Sequence, residues 1–536
     1  MSLEAALDDW RRVVGPTHVV LGPDAGGPTT IGVDRNVPAR VRPGTVEEVR
    51  ACMRIAARHG VPVHPISTGR NWGYGTAQPA TERQVVLDLG RMDRVVEIDE
   101  EMGWCVVEPG VTQQKLHDEI EARGLALQID PNGAGPRAGI LGNALERGYG
   151  LTAYGDHFAQ ICGMEVVLAD GRLVRTGFWR FGEKARTRHL YPYGVGPAVD
   201  GLFSQSNLGV VTRVGYWLMR KPKHLQAFFF QSGDERAIEP LVDAVRELLL
   251  DGVLQSGVNF LDRERAALTL GDGDRAAPLG AWNGVGSLAG PRRLVRERRR
   301  EVRRRLRPLV DRIAFLDERR LAWAGRLQAP FRLFTGLDVR RTIDVIRPTL
   351  GLLAGRPTEV SLNLAYSGLG RPPPATGRDP ARDGCGLIWL SPVVPMRSSD
   401  VREFFDLVRP IFARWGARCA ATLTTVNARA LDCTLPILYN PEGVGTHRRA
   451  RDLRDEVLAA CVKAGFVPYR LGVDTMDVTT TRGDGMAGLL RDVKRALDPD
   501  GIIAPGRYVA ADGATSARCE PVGEGASSVD PRVDRG

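Results

Sequence analysis

The segment STGRNWGYG at residues 67–75 follows directly on an extended apolar run, VPVHPI at 61–66, and this junction constrains the chain more than any other feature. Glycine removes side-chain bulk and tolerates positive φ, so a loop of this kind lets backbone N–H groups approach an anion closely. An ordinary turn has the same composition, so the loop alone leaves a phosphate cradle and a plain turn open. Two familiar phosphate loops are excluded, because neither G-x-G-x-x-G spacing opening a helix nor a G-K-[ST] triplet is present. Upstream residues complete a βαβ unit. Extended VPARV at 37–41 turns at Pro43-Gly44 into a helix that Thr45 and Glu48 open as a capping box. The apolar run 49–57 continues that helix and Gly60 ends it.

Short strands and helices alternate to about residue 220. Runs 85–89, 94–98 and 104–108 read as strands and 112–123 as a helix capped by Thr112. Runs 164–168 and 172–176 flank Asp170-Gly171, a strong hairpin signal. Beyond Pro222 the helical patterns lengthen, as at 238–250 and 401–415, between strands such as 387–390 and 423–426. This predicts an α+β fold in which residues 224–468 form a second domain inserted into the first, built from 1–223 and 469–510. The Pro-, Gly- and Arg-rich stretch 369–383 reads as a loop, and a helix is expected near 488–497. The small polar stretch 511–536 reads as disordered, and no internal repeat is found.

No run of about 18 apolar residues occurs, so a membrane-spanning helix is not expected. The start, MSLEAALDDW, is acidic and amphipathic and lacks the basic n-region of a secretory signal. The cysteines at 52, 105, 162, 385, 419, 433, 461 and 519 include no C-x-x-C pair, which argues against a disulfide framework or structural zinc and fits a reducing cytoplasm. Cys385 reads as an inert buried thiol. The net charge of +9 raises a nucleic-acid reading, with the excess concentrated in RRLVRERRREVRRRLR at 292–307. No aromatic residue interleaves there to stack on bases. Leu294, Val295, Val302 and Leu306 instead form an apolar stripe, so the segment reads as a solvated helix packed on a domain and no nucleic-acid partner is expected. His64, His117 and His157 lack metal-ligand spacing, so no metal is expected. Trp72 and Trp389 read as core packing.

Nine segments in order carry a specific resemblance. They are PISTGRNWGYG (65–75), VLDLGRM (86–92), VVEPGVT (106–112), LGNALERG (141–148), YGDH (154–157), GMEVVL (163–168), YGVGP (193–197), SQSNLGVV (204–211) and IAPGR (503–507). Together they resemble the 4-phenol-oxidising vanillyl-alcohol oxidase/4-cresol dehydrogenase flavoproteins, densely over 40–220 and 468–507 and more sparsely between. The resemblance implies a two-domain fold, with an FAD-binding α+β domain from both chain ends and a cap carrying substrate contacts. By that likeness Ser67, Thr68, Gly69, Arg70, Asn71, Gly73 and Tyr74 wrap the diphosphate and flavin, with Pro65 and Ile66 leading in. Pro109, Gly110, Leu141, Gly142 and Asn143 line the ring system, and Ile503 with Arg507 closes the site. Gly148, Tyr154, Gly155, His157, Gly209, Val210 and Val211 are cofactor residues on the same ground. A glycine-lined loop after a strand suits a diphosphate, whose charges want backbone donors and an arginine.

The same likeness places Tyr74, Tyr469 and Arg470 around a substrate phenol, implying FAD-dependent oxidation of a para-substituted phenol by hydride transfer from the benzylic carbon to flavin N5 through a quinone methide. The family's aspartate near N5 falls at Asn132, or with a one-residue shift at Asp130; both stay open. Asparagine cannot take a proton at neutral pH. Where relatives tether FAD through a cap histidine this chain has Leu387, and 376–385 holds no tyrosine, so non-covalent FAD is expected. The His-His pair of some relatives reads Asp432-Cys433 here. Oxygen and an electron-acceptor protein both remain open as oxidants, and a homo-oligomer is allowed. Two alternatives stand beside this reading: a same-fold oxidoreductase acting on a hydroxy acid or natural-product intermediate, and a non-catalytic flavin-binding or assembly subunit.

Overall fold

Local signals set the first layer. In the computed structural model, which describes residues 2–270, 279–319, 321, 339–479 and 485–509, Ser2 caps helix α1 (Leu3–Val14) and Thr45 caps α2 (Val46–His59). The Thr45 hydroxyl accepts from the Glu48 amide at 3.1 Å, but the return bond of the box is shifted. The Glu48 carboxylate accepts from the Gly44 amide at 2.7 Å, one residue before the cap. Gly60 ends α2 at φ 64°, a left-handed conformation open to glycine at little cost. The stretch 511–536 lies outside the described residues.

Strands β1 (Val19–Leu21), β2 (Ala39–Val41), β3 (Val63–Ile66) and β4 (Val85–Asp88) form a sheet in the order β1-β2-β4-β3. Both β2 and β3 run parallel to β4, so the expected βαβ unit has a third strand inserted between its own two. Val85, Val86 and Leu87 are all buried, which suits that central place. On the far side of β3 the chain end returns. The Val63 amide donates to the Ile502 carbonyl and the Ala504 amide to the Val63 carbonyl, both at 2.8 Å.

The next seven strands are β5 (Val95–Asp99), β6 (Trp104–Val107), β7 (Leu127–Gln128), β8 (Ile161–Val167), β9 (Leu173–Arg175), β10 (Val210–Trp217) and β11 (Met219–Arg220). They make an antiparallel sheet ordered β5-β6-β10-β8-β9 and a small ribbon of β7 with β11. Asp170-Gly171 turns β8 into β9 as expected, with Gly171 at φ 80°. Helices α3 (Gln113–Ala122), capped by Thr112, and α4 (Ile140–Leu145) complete a core with Leu116, Leu141 and Met164.

A third sheet holds β12 (His224–Ser232), β13 (Asn259–Asp262), β14 (Trp282–Gly290), β15 (Arg312–Leu316), β16 (Gly386–Leu390), β17 (Val393–Pro395), β18 (Thr422–Thr425) and β19 (Ala430–Tyr439). Its order is β15-β12-β14-β13-β18-β19-β16, with β17 pairing on β19. Side chains alternate across a strand, and this alternation separates two faces. Phe260, Ile388, Leu390 and Leu423 join the core made with α5 (Ile238–Leu250), α7 (Arg292–Leu306) and the helices Ser398–Arg414 and Thr446–Lys463. Their neighbours Asn259, Leu261, Leu387, Trp389, Thr422 and Thr424 face a cavity.

On α7, Val295, Val302 and Leu306 are buried, whereas Leu294 is 43% exposed. The 100° step per residue carries Leu294 off the stripe assigned to it from sequence. Arg300, Arg304 and Arg305 pair with Glu297, Glu301 and Asp251, as a solvated face would. Among the described residues no helix is long and apolar enough to cross a membrane.

The centre of the third sheet depends on two glycines. Gly284 and Gly286 on β14 sit opposite Phe230 and Phe228 on β12, and the rings lie over the bare backbone. A Cβ built on Gly284 would fall 2.0 Å from the Phe230 ring. Gly284→Ala is expected to cost about 1–3 kcal/mol by overpacking, read as a lower midpoint in urea with an unchanged slope. A neutral effect would mean that Phe230 can leave its place without loss.

Candidate active site

A cavity of about 480 Å³ lies where the loop after β3 meets the open face of the third sheet. Three contacts fix that meeting. The Gly73 amide donates to Thr30 Oγ1 at 2.8 Å, the Trp389 amide donates to the Gly73 carbonyl at 3.1 Å, and the Leu387 amide donates to the Thr30 carbonyl at 2.8 Å. A Cβ on Gly73 would sit 2.0 Å from Trp389, so glycine is required there for close approach.

Of the residues expected at a cofactor, 65–71, 141–143 and 209–211 line the cavity, as do Pro109, Gly148 and Arg507. Six others stand off the wall. Gly73 is turned to Trp389, and Gly110 is packed where a Cβ would lie 2.4 Å from the Gly90 carbonyl. Tyr154 and Gly155 form the turn beyond Gly150. His157 sits behind, sharing hydrogen bonds with Asn143 Oδ1 at 2.6 Å and Asp130 Oδ2 at 3.3 Å. Ile503 pairs with Val63 instead of closing the site. Trp72 and Trp389 pack, as expected, in one apolar cluster with Leu362, Tyr366 and Leu387, and both also line the cavity.

The loop fits a dinucleotide. Among the described residues the successive amides of Thr68, Gly69, Arg70 and Asn71 have no protein acceptor. Successive free N–H groups of this kind form an anion-binding concavity. Trp72 Nε1 is likewise buried without an acceptor. Arg70 is held by Asp379 at 2.7 Å. Ser67 Oγ donates to the Pro109 carbonyl at 2.5 Å, and a Cβ on Gly142 would fall 2.9 Å from Ser67, so the glycine loop and α4 close on one another.

Tyr74, Tyr469 and Arg470 share the cavity wall. The Arg470 guanidinium carbon lies 4.6 Å from the centre of the Tyr74 ring, and its Nη2 donates to Asn71 Oδ1 at 2.6 Å. Behind it is Glu146, with Oε2 at 3.3 Å from Arg470 Nε and Oε1 paired to Arg507, while Tyr508 donates to Oε2 at 2.9 Å. Burial opposes ionisation of Glu146, but Arg507 and Arg470 overcome it and hold its carboxyl below the usual range. One carboxylate between two guanidiniums leaves the cluster one positive charge in excess. Burial pushes Tyr74 up to about 12 and Tyr469 well above its ordinary value, so both hydroxyls stay protonated. Tyr74 Oη shares a 2.7 Å hydrogen bond with Ser391 Oγ.

A second pair adjoins this group. Tyr149, on the wall, packs its ring 5.8 Å from that of Tyr469 and donates to Asp432 Oδ2. Asp432 is fully buried, its Oδ1 has no hydrogen-bond partner among the described residues, and burial holds its carboxyl well above the usual range. Asn132 lines the cavity, with Oδ1 accepting from Gln113 Nε2 at 3.1 Å and the Ala134 amide at 2.9 Å, whereas Asp130 lies behind the wall against His157. His64 also reaches the wall, and burial, with Arg507 adding to it, drives its imidazole down to about 3, so it is neutral. Cys385 is off the wall, and burial pushes its thiol up to about 12. No cluster fit for a metal ion occurs among the described residues. Sequence reading missed Glu146, Tyr149 and Ser391. Glu146 sits inside a quoted motif, so its charge beside glycines was the available signal; the other two carried none.

Residues 37–177 match the family described as an FAD binding domain. The chain is 34% identical to the 1'-carboxy-chondrochloren decarboxylase of Chondromyces crocatus, over 94% of this chain and 97% of that one. It is 31% identical to the 4-cresol dehydrogenase (hydroxylating) flavoprotein subunit of Pseudomonas putida, over 88% of this chain and 87% of that one. A crystal structure of p-cresol methylhydroxylase with substrate bound is similar at a TM-score of 0.81 and 29% identity, covering 95% of this chain and 96% of that one.

Asp432 yields a pH prediction. Burial keeps it protonated in the folded protein, while in the unfolded chain the carboxyl ionises above about pH 4. The folded state then binds one more proton, so this group lowers stability as pH rises, by about 1.4 kcal/mol per pH unit. Asp432→Asn, which cannot ionise, should gain stability relative to the wild type as pH rises above the ordinary carboxylate range of about 4, read in thermal unfolding. A gap that stays constant would exclude a protonated Asp432.

Proposed function

The chain belongs to the vanillyl-alcohol oxidase/4-cresol dehydrogenase family of FAD-dependent oxidoreductases, and we propose that it oxidises a para-substituted phenol, or a larger phenolic metabolite, at the ring-attached carbon. The observation that carries this reading is the meeting of Tyr74, Tyr469 and Arg470 on one wall. A phenol has a pKa near 10, so ionising it at neutral pH costs about 4 kcal/mol. Two protonated phenolic hydroxyls and a guanidinium aimed at its oxygen stabilise the anion in a water-poor site. The excess positive charge of the Arg470–Glu146–Arg507 cluster is the charge that the phenolate neutralises. Ionised, the ring pushes electron density toward its para position and prepares the benzylic carbon to lose a hydride. The resulting quinone methide takes up water or loses a proton, giving an alcohol, an aldehyde or an alkene.

FAD, when bound, supplies the two-electron acceptor. We assign its diphosphate to the free amides of 68–71 and its ring system to the wall made by Pro109, 141–143 and Arg507. Leu387 on the wall offers no nucleophile, which supports FAD held without a covalent bond. Residues 1–223 with 469–510 make the cofactor domain and 224–468 the cap in this reading, and oxygen or an acceptor protein takes the electrons.

The similarity to a decarboxylase favours a second reading on the same site. Loss of CO2 from the carbon next to the quinone methide would return two electrons to the ring and leave a vinylphenol, so headspace CO2 separates the two outcomes.

Tyr469→Phe and Arg470→Met are each expected to slow anaerobic flavin reduction by a 4-alkylphenol roughly tenfold or more, followed by stopped-flow absorbance. Unchanged rates would sink the phenol assignment. Acid precipitation of the holoenzyme should leave the yellow chromophore in the supernatant, and colour retained in the pellet would overturn non-covalent binding.

A further inference from the structure

Four arginines line the cavity, and three have carboxylate partners: Arg70 on Asp379, Arg470 and Arg507 on Glu146. Arg265 has none among the described residues. It lies in the first turn of α6 (Arg263–Leu270), directly after β13, whose Asn259 and Leu261 already face the cavity. Asp262, the nearest carboxylate in sequence, spends both oxygens on backbone, accepting from the Arg265 amide at 2.7 Å and the Ala421 amide at 2.8 Å. The guanidinium carbon stands 5.1 Å from the centre of the Trp389 ring, within cation–π range. Nε and Nη1 are sealed from solvent with no acceptor, leaving Nη2 to reach the cavity. Burial lowers this group only to about 10, so it is charged at neutral pH. A buried charge without a partner is costly, and an arrangement that keeps one facing a cavity points to a ligand anion.

We propose that Arg265 holds a carboxylate on the side chain of the phenolic substrate, which makes the substrate a 4-hydroxyphenyl carboxylic acid in preference to a neutral 4-alkylphenol. This rests on the phenol reading above and extends it to the other end of the molecule. A single cation with one nitrogen open to the cavity, among neutral neighbours such as Leu261, Thr269 and Val285, matches one negative charge better than a phosphate dianion.

The test uses oxidised holoenzyme and ligands whose ring-attached carbon is sp2 and gives up no hydride, so that binding is read by calorimetry without turnover. Wild type should bind 4-hydroxycinnamate roughly tenfold or more tightly than its methyl ester. Arg265→Gln should bring that ratio near unity with flavin content retained, and Arg265→Lys should keep part of it. Equal binding of acid and ester by wild type, an unchanged ratio in Arg265→Gln, or loss of flavin from that variant would overturn the proposal. Unsubstituted cinnamate isolates the phenol reading. If it binds as tightly as 4-hydroxycinnamate, that reading fails, while the acid-to-ester ratio still decides the role of Arg265.

Discussion

The buried carboxylate of Glu146 is the contact on which the site depends. It ends α4 and receives Arg470 from one return segment and Arg507 and Tyr508 from the next, so three stretches of chain converge on two oxygens. A lone guanidinium at Arg470 would be expensive to bury; with Glu146 behind it the charge is retained and directed at the cavity. The same ion pairing fixes where Tyr469 sits, because its neighbour is clamped, its amide donates to Ser391 and its carbonyl accepts from Gln205. Removing the carboxylate would leave two guanidiniums facing each other, a change larger than the loss of one hydrogen bond.

The third sheet supplies the other half by a simple device. Its strands bury one set of side chains against four helices and offer the alternate set to the cavity, so Leu423 is core while Thr422 and Thr424 line the wall. A wall of threonine, asparagine and leucine is neutral. Charge enters from loops and helix starts, as with Arg70, Arg265 and Arg470, where a side chain can be aimed independently of the pleat.

Elements with local signals were legible in the sequence. Thr45, Gly60, Thr112 and Asp170-Gly171 each mark a boundary that the structure keeps, since a cap or a turn needs only its own neighbours. The place of β4 between β2 and β3 was not, because strand order is decided by burial across the sheet. Tyr74, Tyr469 and Arg470 share a wall, as the resemblance implied, but their partners were invisible. Tyr74 meets Ser391, and Tyr149 meets Asp432, across hundreds of residues of chain. Leu294 failed for a different reason: a stripe counted along the sequence is blurred by one residue, and a helix turns by 100° in that step.

The return of residues 502–504 alongside β3 bears on how the protein is made. On the ribosome β3 emerges early with one edge unpaired, and the segment that covers it is translated more than four hundred residues later. Until then an open strand edge is exposed to other nascent chains, and the closing contact is among the most distant in sequence that the fold contains. The early part of this fold therefore waits for a segment made late, and chains cut short before that segment carry a template for mispairing.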